Sequence, residues 1–446
     1  MVVFKFGGTS VQDAEAMNQV LDIITPHRQT GMILVSSAMS GVTNTLVELI
    51  QAVKNEDRAK ADTLLTQLED RHQRVLEVLT GSAHVLTTEA LKAVFRDVRT
   101  LVKGSFLLGE CSPRVSDALL GSGELLSTAL LQGLALQRGL PSEWMDARKL
   151  ILTDDKFGEA GVLWPETLAK IPPVFKAEPG KVYIVQGFIG STLHGVATTL
   201  GRGGSDYSAS IFGAAVQAER IEIWTDVNGI MTTDPRKVPS AISIPIMTYS
   251  EAAELAFFGA KVVHPATIQP AVERGIPVLV KNTKNPTHPG TIVQAEAPSS
   301  GVRAIAGRQN VTLITVTSSR MLLAYGFLKK LFSIFDAFET SVDLIATSEV
   351  SVSMTINGTK DLAGLRQALE ELGTVRIQPD MAILSLVGKD LWKDGTFLEE
   401  AFKSLKGLPI HLVSMGASEI NVSLVLKATD LDEGVKRTHE AFFGQS

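Results

Sequence analysis

Two glycine-rich segments hold the residues best suited to phosphate chemistry in this chain of 446 residues. Residues 5–10, KFGGTS, end a predicted strand and open a predicted helix, where free backbone amides and the positive end of the helix dipole favour an anion. Gly7 and Gly8 permit close backbone approach, and Lys5 adds a full positive charge. For this segment taken alone, a tight strand-to-helix turn beside a solvated lysine is a better explanation than a phosphate site.

The second segment, residues 201–206, has the sequence GRGGSD and precedes an apolar helix that begins near Tyr207. The planar guanidinium of Arg202 suits a carboxylate, and Asp206 is placed to order Lys5 or a metal-bound water. The alternative is an acidic residue that favours the helix dipole, next to an exposed arginine. Two glycine-rich helix starts in one sheet favour an anion site over that alternative.

Other phosphate, redox and metal motifs are missing from the sequence. No GxxxxGK[ST] P-loop occurs, and no GxGxxG of a dinucleotide dehydrogenase follows a predicted strand. His264 has no companion at metal-ligand spacing, so a structural role is favoured. Cys111 is the only cysteine, which excludes an intrachain disulfide and a thiolate metal cage and favours a reducing cytoplasm.

The composition is that of an ordinary soluble globular protein. Lys and Arg number 42 against 48 Asp and Glu, and the net charge of −6 argues against nucleic acid or an anionic membrane as a partner. Hydrophobic residues make up 45% and charged residues 20%, and no apolar run approaches the length of a membrane span. The first seven residues are not expected to form a signal peptide.

The first part of the chain alternates β-branched runs with helical periodicity, which predicts an α/β fold with a mostly parallel central sheet sandwiched by helices. In such a sheet, ligands bind at the carboxyl ends of the strands. Polar residues expected near those ends are Ser37, Thr43, Glu124, Thr225, Asp226, Asp234 and Arg236. The predicted strands span residues 2–6, 32–36, 182–188, 221–225 and 276–280, and residues 55–110 are interpreted as a helical insertion.

Turn-forming residues near 284–303 predict a domain boundary, after which a β-α-β-β-α pattern occurs twice. This repeat predicts two small α+β modules. The first copy comprises a strand at 310–317, a helix at 326–338, strands at 342–347 and 350–356, and a helix at 361–372. The second comprises a strand at 381–387, a helix at 394–405, strands at 410–414 and 420–426, and a helix at 431–443.

Together these residues resemble the aspartate kinases of the amino-acid kinase superfamily, and the resemblance covers the whole chain. The KFGGTS segment matches the opening signature of the family. The later motifs match in order at residues 37–43, 123–124, 188, 202–206, 225–226, 234–236 and 259–261. The paired modules are similar to ACT domains, and residues 321, 326–328 and 342–351 are similar to the lysine-inhibited monofunctional type.

The resemblance implies a kinase domain at residues 1–295 and ACT domains at 308–378 and 379–446, with 301–307 adding a strand to the last. It implies transfer of the γ-phosphoryl of ATP to the β-carboxylate of L-aspartate, giving 4-phospho-L-aspartate and ADP. This is the first step of lysine, threonine and methionine biosynthesis, here with feedback inhibition by lysine. Mg²⁺ is expected to be held by phosphates and water rather than by protein ligands. A cytoplasmic homodimer through the ACT domains is expected, with a tetramer left open.

The resemblance also assigns roles to single residues. Lys5 would stabilise the transferring phosphoryl, and Asp206 would order Lys5. Aspartate would be bound by Ser37, Thr43, Glu124, Phe188, Arg202, Gly203 and Ser205. ATP would be bound by Lys5, Gly7, Gly8, Thr225, Asp226, Met231, Arg236 and Lys261. The effector would be bound by Met321, Ala324, Gly326, Phe327, Leu328, Val342, Asp343, Thr347, Ser348 and Glu349.

The chain departs from the family pattern at three positions. Met231 stands where the family usually has Tyr, and Leu323 and Ala324 stand where the familiar lysine-sensitive enzyme has His and Ser. Two other readings stay open: a kinase with another acceptor, namely glutamate, an acetylated amino acid or a nucleotide, and a non-catalytic ACT amino-acid sensor. A fused homoserine dehydrogenase is not expected, because no residues remain for it after the second module.

Overall fold

The computed structural model describes residues 1–259, 264–297, 300–321, 325–391, 393, 395–416 and 418–444. These residues fall into two compact units. The first comprises residues 1–230, 245–249 and 262–296, and the second comprises 231–244, 250–261 and 297–446. Two short internal segments, 231–244 and 250–261, therefore belong to the same unit as the C-terminal modules.

The strands are β1 Val2–Phe6, β2 Met32–Ser36, β3 Ser142–Met145, β4 Leu152–Thr153, β5 Val182–Gln186, β6 Ile189–Thr192, β7 Ala197–Thr199, β8 Ile221–Thr225, β9 Ile246–Thr248, β10 Val278–Asn282, β11 Thr291–Gln294, β12 Gly301–Thr317, β13 Val342–Thr347, β14 Ser351–Ile356, β15 Thr374–Lys389, β16 Leu412–Met415 and β17 Asn421–Lys427. The helices are α1 Ala14–Ile24, α2 Val42–Lys54, α3 Arg58–Leu76, α4 Gly81–Leu108, α5 Pro113–Leu120, α6 Ser122–Gln137, α7 Trp164–Lys170, α8 Gly204–Val216, α9 Tyr249–Phe257, α10 Pro265–Glu273, α11 Phe327–Ala337, α12 Leu362–Glu370, α13 Thr396–Ser404 and α14 Leu431–Phe443.

The described part of the first unit is built on an eight-stranded sheet in the order β3-β5-β2-β1-β8-β10-β11-β9. Its strand pairs are parallel except β10 with β11. Strand β1 is central and fully buried, and its last residue, Phe6, pairs with Ser36 of β2 and Trp224 of β8. Lys5 is therefore held on a rigid strand at the carboxyl edge, where ligands bind in open α/β sheets. The predicted α/β fold is confirmed.

Helices cover this sheet through apolar stripes of period 3.6. In α1, Met17, Leu21 and Ile24 are buried, and the Asp13 carboxylate caps the helix by accepting a hydrogen bond from the Ala16 amide at 2.8 Å. The predicted helical insertion is confirmed as α3 and α4.

One described helical stretch, Pro113–Gln137, is long and apolar enough to cross a membrane. However, 83% of its most apolar part is buried inside the protein, as in a core helix.

The second unit holds a six-stranded sheet within its described residues, in the order β13-β14-β12-β15-β17-β16. Strands β12 and β15 pair antiparallel at its centre, and each has two further strands of its own repeat beside it. One apolar core packs under β12 and β14 with α11 and α12, and another packs under β15 and β17 with α13 and α14. This symmetry confirms two α+β modules.

Candidate active site

A lysine and an aspartate from the two glycine-rich segments meet at the carboxyl edge of the central strands. Lys5 Nζ lies 2.5 Å from Asp206 Oδ1, and the two side chains are 11% and 16% exposed. Lys5 comes from β1, and Asp206 lies in the first turn of α8. The pairing holds the lysine ammonium in a defined position, where an incoming anion meets it without first ordering a flexible chain.

Close backbone packing explains the glycine at position 8. A Cβ on Gly8 would lie 2.8 Å from the Ala38 carbonyl oxygen, and the Ser40 amide donates to the Gly8 carbonyl at 3.0 Å. The segment that follows β2 is thereby drawn against the start of the chain. That segment leads into α2, whose N-cap is Gly41 in a left-handed conformation with no side-chain cap. The Val42 amide donates to the Met39 carbonyl at 2.9 Å, and the next first-turn amides of α2 are then available to an anion.

The start of α8 has the same design. Its N-cap is Gly203, with φ of 72° and no side-chain cap, and a Cβ on Gly204 would lie 2.7 Å from the Phe188 ring. Phe188 itself has a φ of 68°, which is uncommon for a side-chain-bearing residue, and its amide donates to Ser208 Oγ at 2.9 Å. Helix α8 and the residues after β5 are therefore locked together around the exposed Arg202.

Glu124 is the buried acid of the site. It lies in the first turn of α6 and is 3% exposed. The Ala38 amide hydrogen-bonds its carboxylate, whereas Oε2 has no hydrogen-bond partner among the described residues. Burial raises the pKa of Glu124 to about 8, and backbone hydrogen bonds only partly oppose this effect. A buried carboxylate with an unused oxygen is suited to a ligand ammonium.

These groups line one cavity of about 440 Å³. It brings together two cations and two acids, so it fits a ligand that carries charge of both signs. A larger apolar cavity of about 690 Å³ lies between α4 and α6, but it does not combine two cations with two acids. The residues that line the charged cavity are Lys5, Gly8, Ser37, Ala38, Met39, Ser40, Gly41, Thr43, Asn44, Glu124, Phe188, Gly201, Arg202, Gly203, Gly204, Ser205 and Asp206.

The raised pKa of Glu124 makes the stability of the protein depend on pH. Between the ordinary glutamate pKa of 4.5 and about 8, the unfolded chain loses this proton while the folded protein keeps it. The folded state is therefore destabilised progressively as pH rises, by at most about 5 kcal/mol above pH 8. We expect Glu124→Gln, which keeps the shape without the charge, to gain stability relative to the unmodified protein at higher pH.

Urea unfolding at about pH 5.5, 7 and 8.5 measures this difference. The exposed Glu166 in α7 provides the matched control, because Glu166→Gln should track the unmodified protein at each pH. Parallel pH profiles for Glu124→Gln and the unmodified protein would contradict the assignment of a strongly raised pKa.

Comparison with known proteins places this chain in a family. The model of the amino acid kinase family matches residues 1–282, and an ACT domain model matches residues 384–442. The chain is 37% identical to lysine-sensitive aspartokinase 3 of Escherichia coli (strain K12), over 99% of both sequences. The chain belongs to the amino acid kinase family.

Solved structures of aspartokinase III from Escherichia coli are similar over the full length of this amino acid kinase. The complex with aspartate and ADP, in the R-state, has a TM-score of 0.83 at 36% identity, with 99% of this chain and 100% of that chain covered. The complex with lysine and aspartate, in the T-state, has a TM-score of 0.80 at 36% identity, with 99% of each chain covered.

Several predicted nucleotide contacts of this kinase lie outside the charged cavity. The Gly7 amide donates to the Trp224 carbonyl at 3.1 Å. Thr225 and Asp226 line a separate cavity of about 210 Å³, which Lys284 also lines. Met231 and Arg236 belong to the second unit, where Arg236 pairs with Asp234 at 2.8 Å. Lys261 lies outside the described residues, so its role stays a prediction.

The predicted effector residues lie in the first ACT module. Asp343 Oδ2 lies 3.5 Å from Arg308 Nη1, and their side chains are 6% and 19% exposed. Burial raises the pKa of Asp343, and the charge of Arg308 partly opposes that shift. Phe327 packs in the module core, while Leu328, Thr347, Ser348 and Glu349 are exposed. Leu323 and Ala324 lie outside the described residues.

Some cavity residues were not singled out from the sequence. Met39, Ser40 and Asn44 line the cavity beside the predicted Ser37 and Thr43. The sequence feature that could have identified them is their position between the end of a buried strand and the first turn of a helix without a side-chain cap. Backbone groups as well as side chains can face a ligand at such a position. A pattern search for charged residues overlooks such positions.

Proposed function

We propose that this chain is an aspartate kinase, which transfers the γ-phosphoryl of ATP to the β-carboxylate of L-aspartate and releases ADP. The observation that supports this acceptor most directly is the combination in one cavity of Arg202, the Lys5–Asp206 pair and the unpartnered buried oxygen of Glu124. An α-amino dicarboxylate presents one ammonium and two carboxylates, so its charges complement those groups.

The chemistry requires positioning and charge neutralisation rather than a strong base. The acceptor carboxylate is already ionised at neutral pH, since aspartate has a side-chain pKa of about 3.9. In the proposal, Glu124 binds the ammonium of aspartate, Arg202 binds a carboxylate, and Lys5 stabilises negative charge on the phosphoryl as it transfers. The starts of α2 and α8, which have no side-chain cap, add the fixed positive ends of two helix dipoles.

Mg²⁺ enters this proposal with the nucleotide. No cluster of three or more His, Cys, Asp or Glu side chains suited to a metal occurs in the described part of the chain, and Asp206 is engaged by Lys5. The donor set therefore fits an ion carried by the phosphates and water of ATP. When bound, the ion would neutralise phosphate charge, while the residues above position the acceptor.

A panel of acceptors tests the proposed reaction. We expect ADP release from MgATP to require L-aspartate, with kcat/KM for D-aspartate and L-glutamate lower by at least about 100-fold, because a displaced ammonium leaves Glu124 unpaired. L-Asparagine, which lacks the acceptor carboxylate, serves as the negative control. Equal turnover of L-glutamate would contradict the proposed acceptor, and absence of turnover with every acceptor would favour the sensor alternative.

We also propose that lysine inhibits the enzyme through Asp343. The ammonium of lysine would compete with Arg308 for this buried carboxylate, so the effector replaces one ion pair with another. Asp343→Ala should raise the lysine concentration for half-inhibition by about 10- to 100-fold, as expected for loss of a charged hydrogen bond. Lysine titration of ADP release measures the shift.

The control for this prediction is Asp336→Ala, which removes an exposed acid from α11 of the same module. Its lysine response and the uninhibited kcat of both variants should match the unmodified enzyme. Unchanged sensitivity in Asp343→Ala would remove Asp343 from the effector site.

The remaining proposals concern assembly and location. We propose a cytoplasmic homodimer that pairs through the ACT modules. The outer strands β13 and β16 expose apolar side chains at Ile345, Val413 and Met415, each more than 40% exposed, and such surfaces often mark interfaces. Light scattering with and without lysine distinguishes dimer from tetramer.

The proposed location follows from the cysteine. The buried free thiol of Cys111 suits a reducing compartment.

A further inference from the structure

A buried carboxylate outside the charged cavity holds together two segments next to the turn that carries Arg202. Asp117 lies in α5 and is 2% exposed. Its Oδ2 accepts hydrogen bonds from the Gly158 amide at 3.0 Å and the Thr199 amide at 2.8 Å. Its Oδ1 accepts from Thr199 Oγ1 at 3.0 Å. Three donors on two separate segments thus converge on one carboxyl group.

One of these segments leads into the turn at residues 201–206, and the other lies against it. Thr199 ends β7, three residues before Arg202, and the next amide, that of Leu200, donates to the Phe188 carbonyl at 2.8 Å. The other segment runs alongside, because the Ala160 amide donates to the Thr199 carbonyl at 2.9 Å. A Cβ on Gly201 would lie 3.0 Å from Glu159 Cγ, so the turn and this segment are in close contact.

We infer that Asp117 is a positioning residue for the phosphoryl acceptor. It does not line the charged cavity, and it acts by fixing Thr199 and the segment at 157–160, so that Arg202 is held where it meets a substrate carboxylate. This inference rests on the proposed function for the identity of that substrate. The hydrogen-bond network itself predicts that the turn depends on Asp117 whatever the acceptor.

The hydrogen-bond donors around Asp117 distinguish this positioning role from a requirement for negative charge at position 117. Two of the three partners are backbone amides that only donate, whereas the Thr199 hydroxyl either donates or accepts. An asparagine at position 117 satisfies all three with its carbonyl oxygen towards the amides and its NH₂ towards Thr199 Oγ1. Alanine satisfies none of them and leaves two backbone amides without an acceptor. The two variants should therefore differ sharply.

The test compares Asp117→Ala and Asp117→Asn by steady-state kinetics and by hydrogen exchange of residues 157–160 and 199–206. We expect Asp117→Ala to raise KM for L-aspartate by about 10- to 100-fold while KM for ATP stays within about 2-fold, and to speed amide exchange in both segments. Asp117→Asn should stay within about 3-fold of the unmodified enzyme in every constant. Asp154→Ala is the matched control, since Asp154 accepts from the Lys156 and Gly161 amides within the same loop without touching Thr199.

The outcomes distinguish this inference from the proposed function. Slow exchange in a folded Asp117→Ala, an aspartate KM that does not change, or equal losses in the Asn and Ala variants would overturn the positioning role. Should Asp117→Ala fail to fold, Thr199→Val removes one donor of the network and should still raise KM for aspartate but not for ATP; no rise would also overturn it. An unmodified enzyme that leaves aspartate unphosphorylated would refute the proposed function, and the exchange data would then decide the role of Asp117.

Discussion

Replacing Lys5 with alanine is expected to lower kcat by at least about 1000-fold while the protein stays folded. The Lys5 ammonium is nearly buried and is held 2.5 Å from Asp206, so its charge acts where little water screens it. A single preorganised donor at a developing negative charge contributes a factor of about 100 to 1000 in comparable sites, and a full charge on a transferring phosphoryl should exceed that. Single-turnover ATP consumption with saturating aspartate measures the loss.

The control for Lys5 is Lys281→Ala, which removes a lysine from β10 of the same sheet. Lys281 Nζ lies 4.9 Å from the centre of the Trp224 ring and does not line the charged cavity. Its loss should leave kcat within about 2-fold of the original value, apart from a small stability cost. A Lys5→Ala enzyme with normal turnover would refute the role assigned to this ammonium.

The second large effect is expected on substrate recognition in Glu124→Gln. Because Oε2 of Glu124 is buried and unpartnered, an ammonium that reaches it forms a charge-assisted hydrogen bond in a dry environment. The neutral amide should lower kcat/KM for L-aspartate by about 100- to 1000-fold. Succinate, which lacks the ammonium, should be a poor acceptor for the unmodified enzyme, and the variant should discriminate far less between the two compounds.

The pH dependence of KM for aspartate tests the same contact independently. Free Glu124 holds a proton below a pKa of about 8, so binding of the aspartate ammonium must release that proton at neutral pH. KM for aspartate should then fall as pH rises towards 8, by up to about tenfold per unit, and the dependence should vanish in Glu124→Gln. A flat profile in the unmodified enzyme, or the same preference for aspartate over succinate in both enzymes, would contradict the contact.

The buried strands of the first unit were predictable because they are short, mostly apolar and β-branched runs, as expected for parallel strands covered on both faces. The predicted strands at 2–6, 32–36 and 221–225 match β1, β2 and β8 at both ends. The strand predicted at 276–280 instead begins at Val278, since the Ile276 amide bonds to the Ala271 carbonyl at the end of α10. A local helix ending thus overrides β-branched composition.

The strand predicted at 182–188 ends at Gln186, and the reason lies in the site. Phe188 adopts a left-handed conformation that packs its ring against Gly204, which no aromatic propensity predicts. Strained backbone of this kind concentrates at functional sites and is determined by tertiary contacts. The charged members of the cavity were predictable from their glycine-rich surroundings, whereas Asp117 lacked such a signal because its partners are distant backbone amides.

The central strands of the second unit were longer than predicted. β15 starts at Thr374 rather than at residue 381, and it runs through Pro379 and through Asp380, which has a φ of 57°. Opposite these residues, β12 shifts register around Asn310, which has a φ of 61°. The proline therefore occupies an irregularity where no ladder hydrogen bond is needed, and Asn and Asp tolerate the left-handed backbone. The bulge therefore lets β15 continue through the proline.

The most direct test of the roles assigned to Lys5, Glu124 and Arg202 is a crystal structure with L-aspartate and a non-hydrolysable ATP analogue. In this structure we expect the γ-phosphate to lie within hydrogen-bond distance of Lys5 Nζ, about 3 Å, with the aspartate ammonium on Glu124 and a carboxylate on Arg202. A triphosphate bound away from Lys5 and the start of α8, or an aspartate whose ammonium does not approach Glu124, would contradict it.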